Sequence, residues 1–196
     1  MKDVALRYGK GELRVPLPPD CQASLIAKPS MPLLEHPAEA VAQALRQPVK
    51  AQPLAERAQS AQRACILICD ITRPVPNGLI LPPLLRTLLD AGMPPKCITV
   101  LVATGHHRPN EGAELEELLG DPWVLRTVRV ENHFARDDAA HVDLGRTPRG
   151  TPVKLDRRFV EADLRIATGL VEPHFMAGWS GGRKVIAPGV AHRDTI

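Results

Sequence analysis

The segment ACILICD (64–70) contains a continuous apolar run of about one strand's length. Such a run is typical of a strand that is buried on both faces of a parallel sheet. Two further runs repeat the pattern, CITVLVATG (97–105) and ADLRIATG (162–169). Helical patterns separate them, and alternation of strands and helices indicates βαβ units. We therefore predict an α/β fold with a mostly parallel, Rossmann-like sheet flanked by helices.

The segments around these runs complete the predicted element order. Pro82 and Pro83 predict the start of a helix, since proline suits the first turn, and Gly92 predicts its end. Residues 2–18 alternate apolar and polar side chains around Gly9-Lys10-Gly11, which predicts an N-terminal β-hairpin. Helical patterns cover 36–47, 53–62 and 112–119, with a helical turn at 157–162, and further strands are predicted over 124–132 and 151–155.

The composition excludes several classes of protein. With 44% hydrophobic and 24% charged residues, the 196-residue chain is an ordinary globular sequence. A net charge of +3 and only 3% aromatic residues argue against a nucleic-acid partner. No segment is apolar enough to be a signal sequence or a membrane span, so we predict a cytoplasmic protein without a membrane partner.

The four cysteines do not predict a metal site. None of them forms a C-x-x-C pair, so a zinc site made of thiolates is disfavoured. Cys65 and Cys69 lie in the first apolar run, and we predict that they are buried free thiols.

Polar side chains follow the ends of the predicted strands. Ligands of open α/β sheets bind outside the carboxyl ends of the strands, so these side chains are expected to share one edge. They are Asp70, Arg73, His106 or His107, His133 and His174.

Each of these residues also has an ordinary structural interpretation. Asp70 is suited to cap the following turn, and Arg73 to pair with Asp70 at the surface. We favour a bond from His133 to the loop backbone, and we predict that His36 and His141 lie on the surface. Only the joint arrangement favours a functional site.

Two histidines and a lysine at one sheet edge favour proton-transfer chemistry. A pair of imidazoles can act as acid and base on opposite faces of one carbon, as a racemase or epimerase requires. Arg73 can hold a carboxylate by two hydrogen bonds. Lys184 is suited either to bind phosphate or to act as a nucleophile. The surrounding GGRK does not match the phosphate loop of an ATPase.

The sequence resembles the N-terminal domain of the lactate racemase family, the nickel-pincer-dependent 2-hydroxy-acid racemases and epimerases. The run EPHFMAGWSGGRKVIAPGVA (172–191) is long and unusual, and it makes the resemblance specific. The other matching segments are YGKGELRV (8–15), DITRPVP (70–76), ATGHHRP (103–109), ENHF (131–134), LGRTPRGTPV (144–153) and ADLRIATGLV (162–171).

The resemblance implies a cofactor and roles for particular residues. The nickel-pincer nucleotide is a pyridinium mononucleotide with thioamide and thiocarboxylate arms that grip nickel, tethered to a lysine that matches Lys184. The acid–base pair matches His107, which directly precedes Arg-Pro, and His174. Asp70 and Thr72 match cofactor-binding positions, and we assign Arg73 to substrate binding. The implied reaction transfers a hydride from the 2-hydroxy acid to the pyridinium ring and returns it to the other face.

The resemblance also implies that the site is incomplete. The family's nickel-ligating histidine lies beyond Ile196, and His192 is too close to Lys184 to replace it, so no residue here is predicted to bind the metal. We predict that residues 1–196 form a single N-terminal α/β domain of a longer two-domain protein. Alone they are expected to be inactive. The expected partners are a short 2-hydroxy acid and the cofactor-synthesis proteins.

Two alternatives remain open from the residues themselves. The first is a non-catalytic module that binds a nucleotide-like ligand. The second is a hydrolase in which His107, His133 and His174 bind zinc, which requires three imidazole nitrogens at about 2.0–2.1 Å from one metal.

Overall fold

The computed structural model describes residues 2–9, 11–26 and 29–196. These residues form two compact units, which meet in sequence between Leu33 and Leu34. In the first unit, strands β1 (Lys2–Tyr8) and β2 (Gly11–Leu17) pair in antiparallel register. The predicted hairpin is thereby confirmed, while Lys10 of its turn lies outside the described residues.

A four-stranded parallel sheet forms the centre of the second unit. Its strands are β3 (Ala64–Cys69), β4 (Ile98–Ala103), β5 (Arg129–Asn132) and β8 (Leu164–Ala167). They are arranged in the order β5-β4-β3-β8, and every neighbouring pair is parallel. The predicted α/β class is confirmed, and the carboxyl ends of all four strands lie at one edge.

Six helices accompany the sheet in the described residues. They are α1 (Pro37–Arg46), α2 (Leu54–Gln59), α3 (Asn77–Asp90), α4 (Gly112–Leu119), α5 (Pro122–Thr127) and α6 (Arg157–Val160). Among the described residues, no helix is both long enough and hydrophobic enough to span a membrane.

Two of the predicted element boundaries are wrong. Helix α3 begins at Asn77, so Pro82 and Pro83 lie inside it rather than at its start. Apolar packing of the preceding turn, including fully buried Leu81, outweighs the two missing amide donors. Residues 124–132 are not one strand, because their first part belongs to α5. The Asp121 carboxylate caps that helix by accepting a hydrogen bond from the backbone N–H of Trp123.

Two small antiparallel hairpins were not predicted as such. Strand β6 (His141–Arg146) pairs with β7 (Pro152–Asp156), and β9 (Pro173–His174) pairs with β10 (Gly178–Trp179). The strand predicted over 151–155 therefore exists, but it lies outside the parallel sheet.

Both faces of the parallel sheet are covered, because successive side chains of a strand point to opposite faces. In β3, Ile66 and Ile68 join the larger apolar cluster with residues of α3, α4 and α5. Cys65 and Leu67 join a second cluster with Phe159 of α6 and with Val185 and Val190. Sequence positions 185–190 therefore pack directly on the sheet, which anchors the neighbouring Lys184.

The cysteine prediction is confirmed for Cys65 and needs correction for Cys69. Cys65 is buried, and its burial raises the pKa of the thiol to about 12, so it stays protonated. Cys69, the last residue of β3, is only half-buried. Its burial still raises the pKa of the thiol above the ordinary value.

Candidate active site

A cleft of about 550 Å³ opens at the carboxyl ends of β3 and β4. This volume lies within the usual range for small-molecule sites, roughly 300–1,000 Å³. The six residues assigned above to the cofactor, the substrate or acid–base catalysis line it, namely Asp70, Thr72, Arg73, His107, His174 and Lys184. The topology thus brings together residues separated by more than a hundred positions.

One wall of the cleft carries a chain of three hydrogen-bonded side chains. Nδ1 of His107 lies 2.5 Å from Oδ2 of Asp70, and the Thr72 hydroxyl donates to Oδ1 of Asp70 at 2.6 Å. The Asp70 side chain is 7% exposed and that of His107 is 57% exposed. The buried carboxylate therefore holds an imidazole that is open to the cleft. Neighbouring His106 also lines the cleft, with an exposed side chain.

His174 lines the same cleft from the β9–β10 hairpin. Its Nδ1 accepts hydrogen bonds from the backbone N–H groups of Met176 and Ala177, each at 3.2 Å. The ring also stacks on Phe175, with centroids 5.0 Å apart. The short turn of the hairpin thus sets the orientation of this imidazole.

Ser180 closes the loop that carries the hairpin. Its buried hydroxyl donates to the carbonyl of Leu170 at 2.6 Å and accepts from the N–H of Glu172 at 3.0 Å. Next to it, Gly181 has φ +70°, and a Cβ there would lie 2.8 Å from the Leu170 carbonyl oxygen. A small residue with a positive φ is therefore required for the loop to close.

Replacing Ser180 with alanine is expected to loosen this loop. The change removes the acceptor of the Glu172 N–H, and leaving such a group unpaired costs about 1–3 kcal/mol. Hydrogen exchange at the Glu172 amide should therefore accelerate by roughly 10- to 100-fold. Ser60→Ala, at an exposed hydroxyl on the end of α2, is the matched control and should leave that amide unchanged. Unaltered exchange in Ser180→Ala would contradict the role of the hydroxyl.

Lys184 lies on a short 3₁₀ turn, Gly182–Val185, whose neighbouring residues pack on the sheet. Its side chain is half-buried, and within the described residues its amine has no hydrogen bond or ion pair. Gly189 stands close by, where a Cβ would lie 2.0 Å from the carbonyl oxygen of Val185. The glycine-rich segment thus folds tightly on itself and presents an unpaired amine to the cleft.

Arg73 and Asp70 do not form the surface ion pair that was considered. Asp70 is buried, and the Arg73 guanidinium instead donates to the carbonyl of Thr72 at 3.4 Å. That contact is long and its acceptor is a neutral oxygen. Other N–H donors of the guanidinium therefore remain available to a ligand in the cleft.

His133 lies outside the cleft, contrary to the expectation of a shared edge. It is 1% exposed, with Nδ1 3.1 Å from Oδ2 of Asp156 and Nε2 3.0 Å from the carbonyl oxygen of Ala191. The favoured interpretation of a bond to backbone is confirmed. Both ring nitrogens are occupied, so His133 cannot join His107 and His174 around a zinc ion. No cluster of three or more potential ligands suited to a metal occurs within the described ranges.

His141 is buried rather than on the surface, which corrects its prediction. Its ring packs edge-on between those of His133 and His192, with centroid distances of 5.1 and 4.9 Å. Burial lowers the pKa of His141, which favours the neutral ring. His192 is also buried, with Nε2 2.7 Å from the Asp138 carboxylate and Nδ1 accepting from the Asp194 N–H. These three histidines are structural.

Asp156 connects this cluster to the segment that follows Lys184. Burial by itself would raise the pKa of Asp156, but hydrogen bonds from Arg158 and His133 and the charge of Arg158 together lower it to about 2. The backbone N–H of Asp156 donates to the carbonyl of Val190. The charged network is therefore hydrogen-bonded to the chain segment that directly follows the cleft residue Gly189.

Acid is expected to weaken this network. Because the folded pKa of about 2 lies below the ordinary 3.8, the ionised carboxylate stabilises the fold at neutral pH, by roughly 2 kcal/mol. That contribution should fall as the pH drops from about 4 through 2. Asp156→Asn should lower the free energy of unfolding at pH 7 by about 3 kcal/mol, since it leaves Arg158 short of a partner.

Urea denaturation at several pH values measures both effects. Glu161→Gln is the matched control, since it alters an exposed carboxylate paired with Arg157 and should cost less than about 1 kcal/mol. An Asp156→Asn variant as stable as the Glu161→Gln variant would refute the anchoring role.

Comparison with known proteins identifies the family of this chain. The family profile described as "Lactate racemase N-terminal domain" matches residues 8–196. The chain belongs to this family. The lactate racemase of Lactiplantibacillus plantarum is 39% identical over 158 residues, and that of Thermoanaerobacterium thermosaccharolyticum is 34% identical over 198 aligned positions. These alignments cover 81% and 100% of the chain but only 37% and 46% of the relatives.

Solved structures agree on the fold. The lactate racemase apoprotein from T. thermosaccharolyticum superposes with a TM-score of 0.80 at 33% identity, over 97% of this chain and 44% of the other. A crystal structure of a protein from Thermotoga maritima gives 0.63 at 26% identity, over 82% of this chain and 39% of the other. The chain thus spans less than half the length of these relatives.

Some residues that line the cleft were missed from the sequence. Cys69 was interpreted as a buried thiol and Ser180 was given no role, yet both contribute to the lining. A signal existed for each, since Cys69 directly precedes Asp70 at a strand end and Ser180 lies between the hairpin and the glycine pair. Pro188 also lines the cleft, and its backbone carbonyl oxygen lies near Gly105.

Proposed function

We propose that the protein is a racemase or epimerase of a short, lactate-like 2-hydroxy acid. The observation that carries the proposal is that two imidazoles and an unpaired amine, those of His107, His174 and Lys184, line one cleft. The two imidazoles are held by different elements, the β4 exit loop and the β9–β10 hairpin. A flat substrate between them would have one proton-transferring group at either side.

The residues of the cleft suit the steps of such a reaction. Arg73 binds the carboxylate of the acid by two parallel hydrogen bonds, which also sets the orientation of the neighbouring carbon. One histidine takes the proton of the 2-hydroxyl, and the other returns a proton to the oxygen of the opposite enantiomer.

The cleft fits the nickel-pincer nucleotide that the family resemblance implies. Its volume suits a mononucleotide, and the half-buried amine of Lys184 is free to form an amide-type bond. When bound, the nucleotide supplies the pyridinium ring that accepts and returns the hydride. Thr72 and Asp70 contribute to its binding from the β3 exit loop, and the close packing at Gly189 keeps the lysine segment in place.

We further propose that turnover requires residues outside 1–196. Two findings support this proposal: the chain spans 37–46% of its curated relatives, and it matches the profile of an N-terminal domain. A nickel ligand and the remaining wall of the substrate pocket would come from the other part. The cofactor-synthesis proteins would then act on the protein before it becomes active.

A racemisation screen tests the proposal. The full-length protein, co-expressed with cofactor-synthesis proteins, is incubated with single enantiomers of short 2-hydroxy acids, and the products are separated by chiral chromatography. At least one acid should approach equal amounts of both enantiomers. Tight binding of the nucleotide without racemisation of any acid would instead support the non-catalytic binding module.

A further inference from the structure

We propose that the two histidines of the cleft are held in opposite tautomers, and that Asp70 is the positioning residue that prepares His107 to accept a proton. The inference concerns the hydrogen-bond partners of the two rings, and it deepens the proposed function on which it rests.

The tautomer of His107 follows from its partner. A carboxylate only accepts hydrogen bonds, so Nδ1 of His107 must carry the proton and donate it to Oδ2 of Asp70, which lies 2.5 Å from Nδ1. The Thr72 hydroxyl donates to the other oxygen of Asp70 and thereby fixes the plane of the carboxylate. In the neutral ring, Nε2 of His107 is left with its lone pair.

The tautomer of His174 is the reverse, because its partners are donors. The backbone N–H groups of Met176 and Ala177 both point to Nδ1, which must therefore hold a lone pair. In the neutral ring the proton is then on Nε2. A backbone N–H cannot change from donor to acceptor, so this assignment holds as long as the turn of the hairpin is intact.

The two imidazoles are consequently not equivalent. His107 can take the hydroxyl proton of a substrate at Nε2, while the electron pair of the broken O–H bond stays on the substrate oxygen. The resulting imidazolium keeps its Nδ1–H on Asp70, whose negative charge stabilises it. His174 in this state offers only a hydrogen-bond donor at Nε2. To return a proton as an imidazolium, or to accept one at Nε2, it must first carry a proton at Nδ1, so Nδ1 must release Met176 and Ala177.

Nitrogen NMR of the histidine rings tests the assignment directly. In protein labelled with ¹⁵N-histidine, long-range ¹H–¹⁵N spectra distinguish a ring protonated at Nδ1 from one protonated at Nε2. We expect the Nδ1–H pattern for His107 and the Nε2–H pattern for His174, with each signal identified by its loss in His107→Asn or His174→Asn. The reverse pattern, or the same tautomer in both rings, would overturn the proposal.

Substitution of Asp70 tests the positioning role. Asp70→Ala removes the acceptor and should shift His107 at least severalfold towards the Nε2–H form, while the signals of His174 and exposed His106 stay unchanged. Thr72→Val leaves the carboxylate in place and should give a smaller shift. Asp70 is buried, so its replacement can prevent folding. If Asp70→Ala does not fold, Thr72→Val provides the test of the positioning role. No shift at His107 in either variant would refute the role.

Kinetics of the cofactor-loaded, full-length protein supply a second measurement. Asp70→Ala should lower kcat by roughly 100-fold with a much smaller change in KM, since the base loses its orientation but Arg73 still binds the acid. A change confined to KM would count against the positioning role. The NMR measurement needs no turnover, so an inactive protein with opposite tautomers would refute the proposed function alone. An active protein with equal tautomers would refute this inference alone.

Discussion

Replacing Lys184 with alanine is expected to abolish racemisation by the cofactor-loaded protein, by at least about 1,000-fold, and to eliminate covalent loading. In the proposed site the amine forms the bond to the nucleotide, and an alanine methyl has no nucleophilic atom. Intact-mass spectrometry measures loading, and chiral chromatography measures the reaction. The wild-type protein should show the added mass of the nucleotide, and Lys184→Ala the mass of the bare polypeptide.

Two control variants distinguish loss of the covalent bond at Lys184 from loss of its positive charge. Lys184→Arg keeps a positive charge at the same position but lacks the primary amine, so it should be as inactive as the alanine variant. Arg183→Ala removes an exposed charge from the adjacent position of the same turn and should be loaded and active. Full activity in Lys184→Ala would refute covalent attachment at Lys184. Loading of Lys184→Arg would show that another residue holds the nucleotide.

The second large effect is expected at the two cleft histidines. His107→Asn and His174→Asn should each lower kcat by about 100- to 10,000-fold, the usual range for losing a general acid or base. The loss should appear in both directions of the racemisation, because the equilibrium constant between enantiomers cannot change. Initial rates from each pure enantiomer measure it.

His106 provides the matched comparison for the first of these variants. It also lines the cleft, but His107 is the one hydrogen-bonded to buried Asp70. His106→Asn should therefore retain activity within about tenfold of the wild type. A large loss in His106→Asn together with an active His107→Asn would reverse the assignment.

Much of the fold was predictable, because the central strands β3 and β4 are buried almost throughout. A strand in that environment is apolar at nearly every position, and such runs are visible without any knowledge of long-range contacts. The runs at 64–70, 97–105 and 162–169 all became strands of the parallel sheet. Errors occurred where a local signal competed with packing, as at Asn77, where the helix begins ahead of two prolines.

The candidate site was predictable in outline for the same reason. Parallel strands send their exit loops to one edge, so Asp70 and His107 could be placed together from topology. The environment of the remaining histidines was not predictable, because His133 and His141 are buried by residues distant in sequence, including Asp156 and Ala191.

By itself, then, the sequence determined the class of fold and the residue types at the strand ends, since both depend on local apolar pattern and on the direction of parallel strands. Only the tertiary structure decided which polar groups meet and how their hydrogens are arranged. A hydrogen bond depends on distances of a few tenths of an ångström between groups far apart in the chain. For that reason the carboxylate beside His107 and the backbone donors beside His174 could be identified only from the tertiary structure.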